Sequence, residues 1–190
     1  MRGQSINWKA WTAGLVLLAA AIGWWALHWK PNAMDYPVQG VDVSADEGDI
    51  AWPTVEAAGA DFAYVKATEG ADISDPNFAA NWSGTAQAGM RHGAYHVFSL
   101  CRLAADQATN FISIVPREKD ALPAALALDF KGNCKDRPAR EVVLRELKTF
   151  IDMVEAHTGK PLILQLTREF DDFYMVSDAV DRPLWLRGFL

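Results

Sequence analysis

Successive short apolar runs in this chain each end on a side chain able to carry a proton or a charge. The sharpest is Leu122–Cys134, where Pro123 opens the run, Asp129 closes it, and Gly132 and Asn133 supply a turn. An ionised carboxylate is costly to bury unless something pairs with it, so a buried strand that delivers one at its end serves more than packing. Side chains alternate along a strand, which points Asp129 and Lys131 to the same side. Earlier runs end on Asp42, on Lys66 through Glu69, and on Tyr95 with His96. Acids gathered on one rim suit acid/base work on a sugar or an ester. The competing role is local: each group makes a hydrogen bond or ion pair at the mouth of a sheet. In parallel α/β folds the carboxyl ends of the strands carry the chemistry, and this favours a site for the set as a whole.

Other chemistries find little support. His92 and His96 are four apart on a strand, more than ten ångströms at about 3.3 Å per residue, and no acid or cysteine completes a metal site at ligand spacing. His96 reads as an orienting or core histidine at the rim. A Gly-x-Ser-x-Gly elbow is absent, and no glycine-rich dinucleotide fingerprint follows a strand. No metal and no cofactor is expected.

The elements that position these residues alternate. Strands are expected at Val38–Ser44, Phe62–Ala67, Gly93–Phe98, Ala124–Phe130, Leu162–Thr167 and Pro183–Arg187. Helices are expected from Asp49 through Glu56, from Asp75-Pro76 through Ala88, over Leu103–Val115, over Ala139–His157, and over Glu169–Val176. The clearest is Ala139–His157, with Val143, Leu147, Phe150, Ile151 and Val154 on one face and Gly159 and Pro161 as stops. Repeated strand–helix units predict an α/β fold with a parallel sheet. Short, closely spaced strands suit a TIM-like β/α barrel, but eight strands normally close one and six are visible.

The N-terminal residues differ in kind. From Ala10 to Trp29 there is no Asp, Glu, Lys or Arg, Arg2 and Lys9 precede the stretch, and tryptophans cluster at both ends. This predicts a cytoplasmic N-terminus at 1–9, a transmembrane signal anchor at 10–29, a linker at 30–36, and a domain at 37–190 in the periplasm or outside the cell. A cleaved signal peptide is the alternative. Residues 1–34 hold three of the 18 basic residues and none of the 24 acidic ones, so the remainder carries a net −9. Such a surface argues against a nucleic-acid partner. Cys101 and Cys134, the only cysteines, each directly follow a strand, and in an oxidising compartment a bond between them is expected; two inert thiols are the alternative.

Gly40-Val-Asp-Val-Ser44, Val65-Lys-Ala-Thr-Glu-Gly70, Asp75-Pro-Asn-Phe78 with Asn81, Gly93-Ala-Tyr-His-Val-Phe98 and Leu128-Asp129 follow one another in order. Together they resemble glycoside hydrolase family 25, the Chalaropsis-type lysozymes, across most of residues 36–187. The resemblance implies an incomplete β/α barrel and, as substrate, the β-1,4 link between N-acetylmuramic acid and N-acetylglucosamine in peptidoglycan. It places Asp42 as the first-strand acid and Asp129 as the first acid of the Asp-x-Glu motif, with Glu69 and Tyr95 lining a saccharide groove. Lys66, His96, Lys131, Gln165 and Trp185 complete the candidate substrate contacts.

Three departures accompany the resemblance. The Asp-x-Glu motif reads Asp129-Phe130-Lys131, Gln165 stands where the family usually presents a tyrosine, and the family's last strands are not seen before Leu190. A glycosidase must protonate a poor leaving oxygen, and a lysine, ordinarily near 10.4, is a feeble acid at pH 7. Two readings therefore stand. One is a membrane-anchored, lysozyme-like hydrolase with Asp42, Asp129 and Glu69 as catalytic groups. The other is an inactive peptidoglycan-binding or scaffold domain.

Overall fold

The computed structural model describes residues 8–28, 34–131 and 134–188. The chain divides into two units, at Met1–Val38 and Gln39–Leu190. The first contains helix α1, Trp8–His28. Among the described residues no helix is long and apolar enough to cross a membrane. The span expected at 10–29 is thus without support. The expectations for residues 1–7 and 29–33 lie outside the described residues.

The second unit is built on strands β1 (Gly40–Val43), β2 (Phe62–Glu69), β4 (Arg91–Val97), β5 (Ala125–Leu128), β6 (Ile163–Thr167) and β7 (Leu184–Arg187). They pair in parallel in the order β1-β2-β4-β5-β6-β7. A two-residue strand β3 (Ile73–Ser74), not foreseen from sequence, folds back antiparallel on β2. Helices α2 (Trp52–Ala57), α3 (Phe78–Gln87), α4 (Ala104–Ile114), α5 (Arg140–Thr158), α6 (Arg168–Tyr174) and α7 (Val176–Ala179) occupy the connections.

The helices form where apolar residues recur at helical spacing. Val143, Leu147, Phe150, Ile151 and Val154 of α5 are all buried, and Gly159 ends the helix in the left-handed conformation that glycine adopts freely. The expected Asp75 cap does not start α3. Its carboxylate instead accepts from the N–H groups of Asn77 (2.9 Å) and Ala45 (2.8 Å), tying the loop before α3 to the loop after β1. The single helix expected over Glu169–Val176 is broken at Met175, which sits at φ 46°.

One face of the sheet buries Ala63, Val65, Ala94, Leu126, Leu128, Leu164 and Leu166 against the helices. The other face curls inward around Tyr64, Tyr95, Ala125 and Ala127, with Phe62, Ile163 and Trp185 beside them. The Tyr64 and Trp185 rings lie 5.2 Å apart although β2 and β7 are separated by three strands in the sheet. Only a strongly curled sheet brings them together, and the two alanines of β5 leave room for these rings. Gly93 is required here, since a Cβ on it would stand 2.6 Å from the Tyr64 ring. Among the described residues no strand joins β7 to β1, so the expected barrel is a curled half-barrel.

Candidate active site

The carboxyl ends of the parallel strands form one rim, and most of the expected residues meet there. Asp42 is the inward-facing residue near the end of β1. The next residues make a capped turn: Ser44 is the N-cap, and Glu47 accepts from the Ser44 N–H at 2.6 Å and its hydroxyl at 2.9 Å. That backbone hydrogen bond is the main reason the Glu47 carboxyl is held below its usual range.

Lys66 and Glu69 pose a problem of periodicity. Three apart on a strand, they should point to opposite faces. A bulge resolves it: Lys66 pairs with Tyr95 and Thr68 with His96, which leaves Ala67 as the extra residue. Ala67 and Thr68 both face the helices, the strand changes phase, and Glu69 returns to the inner face. There the Lys66 Nζ lies 2.7 Å from Glu69 Oε2.

Asp129 follows β5 at the same rim, and its Oδ1 accepts from the Lys131 N–H at 2.6 Å. Glu69, Asp129 and Lys131 line one small pocket together with Ser99, Cys134 and Arg137. On the other side of Asp129 a cleft of ≈ 660 Å³ is lined by Lys131, Thr167, Glu169, Asp172 and Arg187. The Cys101 and Cys134 sulfurs are bonded, with Cα atoms 5.6 Å apart, and this links the segment after β4 to the segment after Lys131.

Arg187, which the sequence reading did not single out, stands between the acids. Its guanidinium lies 3.9 Å from Asp42 and 3.6 Å from Asp129, joining the last strand to the first across the open mouth. The signal was present. Arg187 follows Trp185 by two residues, so it shares that residue's inward face at the carboxyl end of a strand, as Asp42 and Asp129 do on theirs. Tyr95 lies below the rim and is buried. Burial first, then the negative charge of Asp42 and Glu47, raises its phenol well above the ordinary range.

Of the other expected contacts, His96 turns to the opposite face, and Gln165 and Trp185 lie deeper on the inner one. His96 does not face the groove, because it occupies the alternate face of β4 and is fully buried among the helices. Its ring stacks on Phe150 at 4.8 Å, Nδ1 meets the Thr68 hydroxyl at 2.7 Å, and Nε2 meets Gln107 Oε1 at 3.1 Å. Gln107 Oε1 also accepts from the Ser99 N–H, while its amide nitrogen donates to Ser99 and Arg102 carbonyls. That arrangement makes the His96 Nε2–H a donor and Nδ1 an acceptor. Burial lowers its pKa to about 4. Gln165 faces inward but is buried beneath the rim, with its amide nitrogen lacking a partner among the described residues. Trp185 packs inside the curl against Tyr64, half-buried.

The arrangement offers three carboxylates, each near a cation, around one opening. Carboxylates so placed can stabilise positive charge that develops on a bound group.

The model for glycosyl hydrolases family 25 matches residues 41–190. A family 25 glycosyl hydrolase from Bacillus anthracis is 41% identical and superposes with a TM-score of 0.77, over 80% of this chain and 71% of that one. A bacterial lysozyme from Streptomyces coelicolor is 29% identical with a TM-score of 0.70, over 78% of this chain and 73% of that one. The protein YegX of Escherichia coli (strain K12) is 32% identical over 156 residues, 80% of this chain and 56% of its own length. The present chain therefore spans little more than half of that relative. With a family model matched along nearly the whole second unit, and with the strand order and rim acids described above, this chain belongs to glycosyl hydrolase family 25.

Proposed function

We propose that this protein is a lysozyme-like domain that acts on peptidoglycan, cleaving the β-1,4 link between N-acetylmuramic acid and N-acetylglucosamine. The observation that carries this reading is the convergence of Asp42, Glu69 and Asp129 at one mouth. In this mechanism the glycan lies across the rim with the scissile oxygen toward Glu69. Glu69, once protonated with its Lys66 ion pair opened, passes its proton to the leaving oxygen as the C1–O bond breaks. Asp42 and Asp129 stabilise the positive charge that develops on the ring, and a water oxygen then bonds to C1 and gives its proton to a rim carboxylate. The protein works on the outer side of the cytoplasmic membrane, where peptidoglycan lies and where a Cys101–Cys134 bond persists.

A second reading has its own support. Lys131 occupies the acid position of the Asp-x-Glu motif, and an ammonium replaces the group best suited to protonate the leaving oxygen. On that reading the groove binds glycan without cutting it.

The experiment is release of reducing ends and soluble muropeptides from purified sacculi by the full chain, beside its Asp129→Asn and Lys131→Glu variants. Release by the wild type that Asp129→Asn lowers by about 10²-fold or more supports the hydrolase. A silent wild type with an active Lys131→Glu supports the binder. Silence from both, together with no binding to sacculi, overturns the proposal.

A further inference from the structure

Phe173 bears on how far the groove extends, given the peptidoglycan reading above. Its ring is 58% exposed, whereas the other described phenylalanines are buried or half-buried. Glu169 and Phe173 are four residues apart on α6, so they share a face of that helix. Glu169 lines the cleft of ≈ 660 Å³ that opens beside Asp129, a volume ordinary for a ligand site. The Phe173 ring also meets Phe130 edge-on at 5.7 Å. Phe130 follows Asp129 directly and lines both that cleft and the pocket of Glu69. Aromatic surface thus runs from the rim acids outward to Phe173.

The corner that presents this ring is firmly held. Met175 ends α6 at φ 46°, a conformation uncommon outside glycine, and its side chain is exposed beside Phe173. The Met175 N–H donates to the Asp171 carbonyl, and Ser177 donates its N–H and hydroxyl to the Asp171 carboxylate at 2.9 and 2.6 Å. The Arg140 guanidinium donates to the carbonyls of Tyr174 and Met175 at 2.8 and 3.2 Å. Backbone outliers persist only where the surroundings fix them, and they gather at ligand sites. The cleft beside the corner carries groups of both signs, with Glu169 and Asp172 facing Lys131 and Arg187 across it. Such a lining suits hydroxyls, which donate and accept in turn, and the aromatic end suits a face of C–H groups. A pyranose ring has both, with hydroxyls around its edge and C–H groups on its faces. We propose that Phe173 stacks on one uncharged sugar ring of the glycan, and so adds a subsite to the groove beyond the acids on the α6 side.

The test is equilibrium binding of the full chain to N-acetylglucosamine oligomers of graded length, from the dimer to the hexamer, for the wild type and for Phe173→Ala and Phe173→Trp. Wild-type affinity is expected to rise with length, and the step at which a sugar reaches Phe173 should add about fivefold, from covering part of one ring face. Phe173→Ala should erase that step and leave the shorter oligomers within about twofold of the wild type. Phe173→Trp, with its larger ring, should keep or enlarge the step. The hexamer, and not the dimer, should also shift the tryptophan fluorescence of Phe173→Trp beyond any shift seen in the wild type.

A Phe173→Ala variant with the same length dependence as the wild type overturns the subsite. Equal weakening at every length also overturns it, because Phe173 would then act through the fold. So does a wild type that binds purified sacculi but shows no gain with oligomer length. Failure of the wild type to bind either the oligomers or sacculi overturns the peptidoglycan reading itself, a different result from loss of the one step.

Discussion

Lowering the pH from 7.5 to 5.5 should destabilise the domain through His96. The ring is fully buried, with Nδ1 accepting from Thr68, Nε2–H donating to Gln107, and Phe150 stacked on one side. Desolvation is the largest cause of its lowered pKa, the charge of Lys66 acts in the same direction, and the bond to Gln107 opposes both. The folded-state value is about 4, against an ordinary 6.5. Between those values the unfolded chain binds a proton that the folded chain does not, so stability is present above pH 6.5 and is lost as pH falls toward 4. At 1.36 kcal/mol per pH unit, the loss between pH 7.5 and 5.5 is about 1.3 kcal/mol, and by pH 4.5 it reaches about 2.5 kcal/mol. Urea unfolding at each pH, for the wild type and for His96→Gln, measures it. Groups common to both proteins cancel in the comparison, so the wild type should lose about 1.3 kcal/mol more than the variant. An equal loss in the two proteins, or a ring that titrates near 6.5 in the folded state by NMR, would refute the account of a buried neutral histidine.

Other perturbations test the frame around the site. Reducing the Cys101–Cys134 bond frees a loop of sequence separation 33, which by loop entropy costs up to about 3.7 kcal/mol; thermal unfolding with and without reductant should show a Tm lower by about 7–15 °C. Gly93→Ala forces a Cβ to within 2.6 Å of the Tyr64 ring and 3.0 Å of the Leu122 Cβ, and chemical unfolding should show a loss of about 1–3 kcal/mol. Asp75→Ala leaves the Ala45 and Asn77 N–H groups without their acceptor, and the same assay should show a loss of about 1–3 kcal/mol.

Much of the fold was legible because its signals are local. The apolar stripe of α5, the Gly159 stop, and the short runs ending in acids each arise from a few neighbouring residues, and the observed elements stand close to where those patterns place them. The family was legible for the same reason, since its motifs sit on strand ends. The site was less so. Strict alternation separates Lys66 from Glu69, and only the bulge at Ala67 returns them to one face. Strand position puts His96 beside Tyr95 at the rim, but the alternate face turns it toward Gln107 and Phe150. Gln165 and Trp185 lie on the inward face as their strands imply, yet their depth beneath the rim depends on the neighbouring strands.

By itself the sequence determined the succession of strands and helices, the family, and the residue types at the strand ends, because hydrophobic period, turn residues and motif spacing are written along the chain. Only the tertiary structure decided how far the sheet curls, that Tyr64 meets Trp185, and that Arg187 spans Asp42 and Asp129. Those contacts join residues 58 to 145 positions apart. They follow from strand order, register and twist summed over the whole sheet, which no local pattern encodes.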